Sequence, residues 1–444
     1  MASNTRRILT IMGIALLLRV LLPIASTIAV GNEGAFLFPD SKGYLRPAEE
    51  LLRTGRFAND GSPEIMRTPG YPILLAPGIL LGKPVPVTIA LQVVLSLLTV
   101  WLVYRITVQI FENENAAAAA ALLYALEPLS ILYTTLILTE TLFALLVAAF
   151  FFCLADYFKR RQALGTLLLA ALALSASVYV RPVSYYLPIL VTLALLPALL
   201  VRFRKIKYAL HALVFLAVSF GLVAAWQVRN RVETGYRGFS AVSDLNLYLY
   251  QGASARAKAE GVPFQEVQRR LRLFEGHPEQ SSWTEAQRSE VMRREGVRMI
   301  LRHPLAYATI HLGGMMRVLF DPGSVDYLKI FQSYPRQGGL LANIADRGLA
   351  SVVFGLIRGN PLVFWLQLFF FVLLAAYYAL ALLGLFSRSR AGLWDRIALV
   401  AIIAYFVLIS GGPHGYSRFR HPAMPFLCVL AGYGLHFLAR RRQR

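Results

Sequence analysis

The composition of the chain excludes an ordinary soluble domain. Of its 444 residues, 57% are hydrophobic and 16% are charged, whereas a soluble globular domain carries about 25% charged residues. Several runs of roughly 20 apolar residues follow one another, and each is long enough to cross a hydrocarbon core of about 30 Å. The formal net charge of +21 would indicate a nucleic-acid partner in a soluble protein, but here Arg and Lys collect at the ends of the apolar runs. We therefore expect a polytopic membrane protein whose partners include membrane lipids and no nucleic acid.

The first apolar run extends from Ile8 to about Val30 and follows the basic pair Arg6-Arg7. A cleaved signal peptide would have a shorter apolar core and a small-residue cleavage site. This run is longer and is interrupted by Arg19. We therefore predict a retained first span with a cytoplasmic N-terminus.

Basic clusters determine the predicted orientation, because cytoplasmic loops carry an excess of Lys and Arg. The clusters are Arg6-Arg7, 159–161, 202–207, Arg388 with Arg390, and 440–442. All of them face the cytoplasm if the chain crosses the membrane ten times, at 8–30, 87–110, 115–134, 140–158, 163–181, 185–202, 208–228, 361–386, 397–413 and 424–439. Counting segment 303–320 as a further span would invert every later loop, so we predict that it is interfacial or re-entrant.

The predicted fold is an all-α polytopic membrane protein that forms one domain over residues 1–444. Both termini are then cytoplasmic, and the extracytoplasmic side carries a first loop at 31–86 and a large loop at 229–360. The large loop contains segments with helical apolar spacing and interspersed arginines, which favour helices that lie flat on a bilayer surface. Spans two to seven occupy 87–228, and the last three spans occupy 361–440.

The polar stretch at 36–72 gathers reactive side chains at the mouth of this bundle. Asp40 comes about ten residues after the first apolar run, Tyr44 follows it, and the motif RTPGYP contributes Arg67 and Tyr71. A carboxylate is suited to proton transfer and an arginine to binding an anion. The alternative for Asp40 is a structural one, the N-cap of the helix that follows it.

Two acidic residues lie in or beside later spans. Glu140 opens the fourth predicted span, on the same side of the membrane as Asp40. Charges within a span cost several kcal/mol and tend to be functional, although an acidic residue in the first turn of a helix also interacts favourably with the helix dipole, by about 0.3–1 kcal/mol. Glu127 precedes Pro128 deeper in the third predicted span, and capping, ion pairing and substrate contact all stay open for it.

Basic residues on the outer side break the charge rule and therefore suggest an anionic ligand such as phosphate. Arg181 ends the fifth predicted span, and Arg229 follows the seventh. The last outer turn adds Tyr416 and Arg418. Snorkelling of the arginine head groups to the membrane interface is the alternative explanation.

No motif for a metal ion or for nucleophilic catalysis accompanies these residues. His414 and His421 lie seven positions apart in the last outer turn, which is no firm metal-ligand spacing. HExxH, Walker and GxSxG motifs are absent, and the two cysteines, Cys153 and Cys428, lie in apolar runs where we expect them to pack. We assign no metal ligands and no certain cofactor, and a divalent metal ion is the one cofactor left open.

An ordered set of short motifs resembles a known family. The motifs are Asp40 with Tyr44, Arg67-Thr68-Pro69-Gly70-Tyr71-Pro72, Leu138-Thr139-Glu140, Tyr179-Val180-Arg181-Pro182, Trp226-Gln227-Val228-Arg229-Asn230, Asp244-Leu245-Asn246-Leu247-Tyr248 and Tyr416-Ser417-Arg418-Phe419-Arg420-His421-Pro422. Over about 8–440 this set resembles the membrane glycosyltransferases of the C superfamily, in the branch of protein O-mannosyltransferases and lipid A aminoarabinose transferases.

The resemblance implies transfer of a sugar from a polyprenyl-phosphate carrier on the extracytoplasmic face of the plasma (inner) membrane, with inversion at the anomeric carbon. It implies that Asp40 is the catalytic base, that Glu140 is a second catalytic acidic residue, and that Arg67 binds the carrier phosphate. Ser41 follows Asp40 where protein mannosyltransferases often have another acidic residue, which favours the aminoarabinose-like bacterial branch. The implied acceptor is a glycolipid, a glycan or a protein. Candidate substrate contacts are Tyr44, Arg67, Tyr71, Arg181, Arg229, Tyr416 and Arg418.

A lipid-linked-sugar flippase or another membrane transporter is the alternative from a different class, and a non-catalytic membrane scaffold is the third. Ten spans with a few buried charges also describe transporters. These proteins usually show internal repeats and binding groups near the bilayer midplane, whereas the polar groups here gather at one face. The pattern therefore favours the glycosyltransferase.

Cysteine labelling with a membrane-impermeant reagent tests the predicted orientation, in a background that lacks Cys153 and Cys428. Asn59 lies in the first outer loop and Ser389 lies in a predicted cytoplasmic loop. We expect Asn59→Cys to label in intact cells and Ser389→Cys to label only after permeabilisation. The opposite pattern would invert the topology and remove the active-site hypothesis.

Overall fold

The computed structural model describes residues 2–159, 162–203, 205–274, 282–332, 351, 358–359, 361–389 and 391–442. Within these residues the chain is almost wholly helical, which confirms the predicted all-α polytopic class. Two short antiparallel strands, β1 (Ala58–Asn59) and β2 (Ser62–Pro63), form a hairpin in the first loop. Parts of the predicted large outer loop, at 275–281, 333–350 and 352–357, lie outside the described residues.

The first half of the chain alternates long apolar helices with short ones. Its helices are α1 (Ala2–Val30), α2 (Lys42–Thr54), α3 (Gly70–Leu80), α4 (Pro84–Phe111), α5 (Glu114–Leu126), α6 (Pro128–Leu132), α7 (Glu140–Lys159), α8 (Leu164–Val180), α9 (Leu187–Phe203) and α10 (Ile206–Thr234). Three-residue and four-residue 3-10 turns, Pro182–Ser184 and Glu33–Phe36, follow α8 and α1.

The second half begins with shorter helices and ends with long ones. These are α11 (Val242–Asn246), α12 (Ala253–Glu260), α13 (Phe264–Arg272), α14 (Glu285–Arg302), α15 (Pro304–Phe320), α16 (Ser324–Ile330), α17 (Pro361–Phe386), α18 (Leu393–Ile409) and α19 (Met424–Arg442). A π-helical turn, Leu247–Gly252, precedes α12, and the 3-10 segment Ser417–Ala423 precedes α19.

Seven segments of the described chain are long and apolar enough to cross a membrane. They are Asn4–Val30, Pro84–Phe111, Glu140–Lys159, Pro182–Leu200, Ile206–Thr234, Pro361–Phe386 and Ser417–Arg441. The remaining predicted spans fall on the shorter helices α5, α8 and α18. Large exposed apolar side chains recur at helical spacing along α17, as expected for a face in contact with lipid: Leu362, Trp365, Phe369 and Val372.

The third predicted span, 115–134, is not one unbroken helix, because the helix breaks before Pro128. A proline has no backbone N–H to donate and disfavours helical geometry at the residue before it. Glu127 is accordingly extended, with φ −66° and ψ 120°. Its carboxylate accepts hydrogen bonds from the backbone N–H groups of Leu129 (3.2 Å) and Ser130 (2.5 Å). Of the roles left open for Glu127, capping is therefore the one that it fills.

Arg19 ties the first helix to this break. It is fully buried, and its guanidinium donates to Ser96 Oγ (2.7 Å), Ser130 Oγ (2.9 Å) and the carbonyl oxygen of Ala125 (2.9 Å). The last carbonyls of a helix have no partner within it, and in a membrane every such group must find one. The end of α5 supplies acceptors for a charge that would otherwise be costly in the bilayer.

Small residues allow the central helices to pack closely, as is common between membrane helices. On α19, a Cβ added to Gly432 would lie 2.4 Å from the backbone nitrogen of Ala120 on α5. On α15, a Cβ added to Gly314 would lie 2.1 Å from the carbonyl oxygen of Gly412. The segment predicted as interfacial or re-entrant thus forms a helix that packs on the turn between α18 and α19. Its position relative to the bilayer stays a prediction.

Candidate active site

The segment around Asp40 is fastened to the turn between α6 and α7. The backbone N–H of Ile137 donates to the carbonyl of Phe36 at 3.0 Å. The hydroxyl of Ser41 accepts from the N–H of Phe38 at 2.9 Å and donates to the carbonyl of Ile137 at 2.9 Å. Because Ser41 is fully buried, water does not compete for these bonds.

Asp40 makes two ion pairs. Its Oδ1 accepts from Nη2 of Arg67 at 2.8 Å, and its Oδ2 accepts from Nη1 of Arg418 at 2.8 Å. The helix α2 has Ser41 at its N-cap position. The carboxylate of Asp40 therefore faces two guanidinium groups, an arrangement that the N-cap alternative does not account for.

The pKa of Asp40 reflects these partners. Burial raises the pKa of the carboxyl, but the charges and hydrogen bonds of Arg418 and Arg67 outweigh burial and hold the pKa at about 2. This lies below the value of about 3.9 expected in an unfolded chain, so the ion pairs stabilise the fold above about pH 4 and lose that effect as the pH falls through about 2. At neutral pH Asp40 is ionised, as a general base must be.

Glu140 is the first residue of α7 and is fully buried. Its Oε1 accepts from Nη1 of Arg181 at 2.6 Å and from Nε of Arg418. Arg418 thus bridges the two carboxylates, with Nη1 on Asp40 and Nε on Glu140. We call Asp40, Glu140, Arg67, Arg181 and Arg418 the carboxylate–arginine cluster. It contains one more cation than anion, which favours a further anion at its open side.

Two tyrosines support Arg67. The guanidinium lies 4.8 Å from the ring centroid of Tyr44 and donates to its hydroxyl at 3.3 Å. Tyr71 packs edge-on against Tyr44, with ring centroids 5.2 Å apart, and its hydroxyl donates to Oε1 of Gln92 at 2.9 Å. Gly43 leaves room for the arginine, since an added Cβ would lie 3.1 Å from Nε. Tyr44 therefore contacts the cluster directly. Tyr71 is fully buried and supports the ring of Tyr44.

Arg229 contacts the backbone of the first loop rather than the carboxylates. It donates to the carbonyl oxygens of Glu64 and Phe57, both at 2.7 Å. The carboxylate of Glu64 in turn accepts from the N–H groups of Met66 (2.5 Å) and Arg67 (2.9 Å). Burial raises the pKa of Glu64 despite these bonds. Arg229 therefore holds the β1–β2 hairpin and, through Glu64, the backbone that carries Arg67.

The turn between α18 and α19 is fastened to α15, and this positions Arg418. Arg317 donates to the carbonyls of Gly415 (3.1 Å) and Gly412 (2.9 Å), and Asp321 accepts from the N–H of Ser417 at 3.1 Å. On the other side of the turn, Tyr416 packs edge-on against Phe419, with ring centroids 5.2 Å apart. The guanidinium of Arg181 lies 5.6 Å from the ring of Phe419, and the hydroxyl of Tyr416 interacts directly with Arg418, so Tyr416 adjoins the cluster.

The residues that the structure describes do not offer the ligand set of the divalent metal ion left open by the sequence. In the part of the chain that the structure describes, no group of three or more His, Cys, Asp or Glu side chains could hold a metal ion. His414 and His421 each pack against a tyrosine ring, Tyr250 and Tyr133 respectively. Both oxygens of Asp40 face guanidinium groups, so the carboxylate already has cationic partners.

Three residues important to this geometry had no predicted site role: Ser41, Arg19 and Gln92. Arg19 and Gln92 are polar residues inside long apolar runs, a signal that marks functional or structural contacts in membrane proteins. Gln92 links Tyr71 to the turn before α7, since its amide donates to the carbonyls of Thr134 (3.1 Å) and Leu136 (2.8 Å). Ser41 has no such signal beyond its position next to Asp40.

Replacing Arg418 tests the strength of the cluster. Arg418→Gln should lower the free energy of unfolding by about 3 kcal/mol, because the loss of one partner of a buried ion pair is strongly destabilising. Glu140 would keep Arg181 as its charged partner. Unfolding in detergent measures this loss. The control is Arg46→Gln, which removes an ion pair to Asp60 whose side chains are 59% and 78% exposed and should cost less than about 1 kcal/mol. Equal losses in the two variants would contradict a buried bridge.

A comparison of sequences gives one family match. The profile of the family described as dolichyl-phosphate-mannose-protein mannosyltransferase matches residues 67–226. This segment includes Arg67, Tyr71, Glu140 and Arg181. No curated protein matches the chain.

A solved structure of an archaeal enzyme shares the fold. The Archaeoglobus fulgidus oligosaccharyltransferase tethered with an acceptor peptide superposes with a TM-score of 0.51 at 14% identity, over 98% of this chain and 50% of that chain. The same enzyme in complex with Zn and sulfate gives 0.48 at 16% identity, over 96% and 49%. Its complex with an inhibitory peptide and a dolichol-phosphate gives 0.47 at 15% identity, over 96% and 50%.

The chain spans about half the length of these solved structures. At such low identity the likeness is one of fold. Together with the family match and the apolar helices, it confirms that this multi-pass membrane protein resembles the C-superfamily membrane glycosyltransferases.

Proposed function

We propose that the chain is a glycosyltransferase that moves a sugar from a polyprenyl-phosphate carrier to an acceptor hydroxyl or amine by inverting displacement. The observation that carries the proposal is Arg418, which bridges Asp40 and Glu140 beside Arg67 and Arg181. An ionised carboxylate and several guanidinium groups then lie within one cluster. The match to a mannosyltransferase family over 67–226 supports the same class of reaction.

Asp40 is the proposed general base. It accepts the proton of the acceptor as the acceptor oxygen or nitrogen bonds to the anomeric carbon. The bond from that carbon to the carrier phosphate breaks at the same time, and its electron pair leaves on the phosphate oxygen. Such a displacement needs a base within hydrogen-bond reach of the acceptor and cations where charge develops on the leaving group.

Donor binding has to free Asp40, because both of its oxygens are paired. Arg67 is the more exposed of its two partners, with 24% of its side chain accessible against 11% for Arg418. A carrier phosphate that binds Arg67 offers that guanidinium a bidentate anionic partner in place of Asp40. The exchange frees Oδ1 for the acceptor, and the loss of one cation raises the pKa of Asp40 from about 2, which makes it a stronger base.

Glu140 is proposed as a positioning residue rather than a second base. It is fully buried and shares its Oε1 between Arg181 and Arg418. In that position it fixes the two guanidinium groups with respect to the donor phosphate. This differs from the catalytic role that the resemblance implied, because a carboxylate without exposure has no path to the acceptor.

The donor's polyprenyl tail explains a site at the membrane surface. The tail stays in the bilayer while the sugar reaches the outer mouth of the helices. The distribution of basic clusters supports an extracytoplasmic site and cytoplasmic termini, and the family resemblance implies a location in the plasma (inner) membrane. The acceptor proposed from the resemblance is a glycolipid, a glycan or a protein.

A turnover assay tests the function and the base together. Purified protein incubated with polyprenyl-phosphate-linked sugar and candidate acceptors should release free carrier phosphate, which a flippase or transporter would not do. Asp40→Asn should lower kcat by about 10²–10⁴-fold, the usual contribution of general base catalysis, because the amide cannot take up the proton. Glu140→Gln should cause a smaller loss.

The matched control for this assay is Asp60→Asn, which removes an exposed carboxylate of the same loop and should leave turnover unchanged. Near-normal turnover of Asp40→Asn with normal expression would contradict the assignment of the base. Absence of carrier release by the unmodified protein, together with movement of the lipid-linked sugar between leaflets, would favour the flippase.

Donor kinetics test the role of Arg67. Arg67→Ala should weaken donor use by about 1.5–3 kcal/mol, the usual range for hydrogen bonds to charged groups. Arg67→Lys should restore only part of it, since an ammonium lacks the guanidinium fork. Arg46→Ala, an exposed arginine on α2, is the control. Unchanged donor kinetics in a folded Arg67→Ala protein would remove this residue from the phosphate site.

A further inference from the structure

Asp40 and Glu140 belong to separate parts of the chain, and their relative position needs a structural cause. Asp40 lies in the loop after α1, whereas Glu140 begins α7. Arg418 reaches both carboxylates, but the side chain of Asp40 is 37% exposed. An ion pair with that exposure is partly screened by water and tolerates movement. A second, better-shielded connection must therefore determine where Asp40 lies.

Ser41 provides that connection. Its hydroxyl accepts from the N–H of Phe38 and donates to the carbonyl of Ile137, each at 2.9 Å. The N–H of Ile137 donates to the carbonyl of Phe36 at 3.0 Å. We call these three bonds the Ser41 clip. Ser41 directly follows Asp40 in the chain and is fully buried. Its partner Ile137 lies three residues before Glu140, the first residue of α7.

We propose that Ser41 is a positioning residue that holds Asp40 in register with Arg418 and Glu140. This inference rests on the proposed function of Asp40 as the base. The clip matters most once the donor is bound, because the carrier phosphate then takes Arg67 and Asp40 keeps only Arg418 as a charged partner. In the donor-bound state the Ser41 clip is then the main constraint on the position of the loop that contains Asp40. Donor binding itself depends on the arginines of the cluster.

The clip therefore has a kinetic signature. Ser41→Ala should lower kcat by about 10–100-fold, in line with the cost of misplacing a catalytic group by about 1 Å, while the KM for the donor stays within about twofold. A general loss of structure would change both constants and the amount of folded protein. The matched control is Ser26→Ala, another fully buried serine, whose hydroxyl donates to the carbonyl of Ile330 at 2.8 Å. It should leave kcat per folded molecule unchanged.

A double variant separates positioning from a merely structural role. If Ser41 acts through Asp40, Ser41→Ala should produce no further loss of kcat in an Asp40→Asn background, since coupled residues are not additive. An additional 10-fold or larger loss in that background would overturn the proposal. Normal kcat of the single Ser41→Ala variant would also overturn it.

The same measurements distinguish this proposal from the proposed function. If the unmodified protein releases carrier phosphate and Asp40→Asn abolishes the release, the function stands whatever Ser41→Ala does. If Asp40→Asn has normal turnover, Asp40 is not the general base. The proposed positioning role of Ser41 is then also rejected, because it depends on that function of Asp40.

Discussion

The bridge formed by Arg418 is the interaction on which the candidate active site depends. A buried charge is tolerated only when it is paired and hydrogen-bonded, and Glu140 is fully buried at the start of α7. Arg418 provides one of its partners and also reaches Asp40 in another loop. One side chain therefore joins the loop after α1, the start of α7 and the turn before α19. Movement of any of these three elements would leave a charge in the protein without its full complement of partners.

The bridge keeps its position because hydrogen bonds to backbone groups hold the turn that carries Arg418. Arg317 donates to the carbonyls of that turn from α15, and Asp321 accepts from one of its N–H groups. On the opposite side, Ser41 holds the first loop without using either oxygen of Asp40. These hydrogen bonds fix the backbone around the cluster. The charged groups of the cluster pair with one another and are not needed to hold that backbone. A ligand can exchange with those groups while the surrounding backbone stays in place.

Hydropathy predicted the helical membrane fold and located most charged residues of the cluster, but not how they pair. Glu140 and Arg181 stand out individually because a charge at the end of an apolar run is costly, whereas Asp40 was located by the polar stretch that contains it and by the motif resemblance. The bonds of Arg418 join residues 278 and 378 positions apart in the chain, and hydropathy contains no information on such contacts. For the third predicted span, 115–134, the sequence did contain the necessary information, but the length of the apolar run was given more weight than the proline within it. Pro128 after Glu127 already indicated the break, because the residue before a proline disfavours the helix.

The partners of the arginines separate those that belong to the scaffold from those that a ligand can engage. Arg19, Arg229 and Arg420 donate largely to backbone carbonyls. Those acceptors are fixed by the fold, and a guanidinium that left them would strand buried polar groups at a cost of about 1–3 kcal/mol each. Arg67 instead pairs with the half-exposed carboxylate of Asp40, which water can solvate once the arginine turns away. A phosphate can therefore replace the carboxylate of Asp40 as the anionic partner of Arg67. For this reason Arg67, and not Arg229, is the proposed ligand of the carrier phosphate.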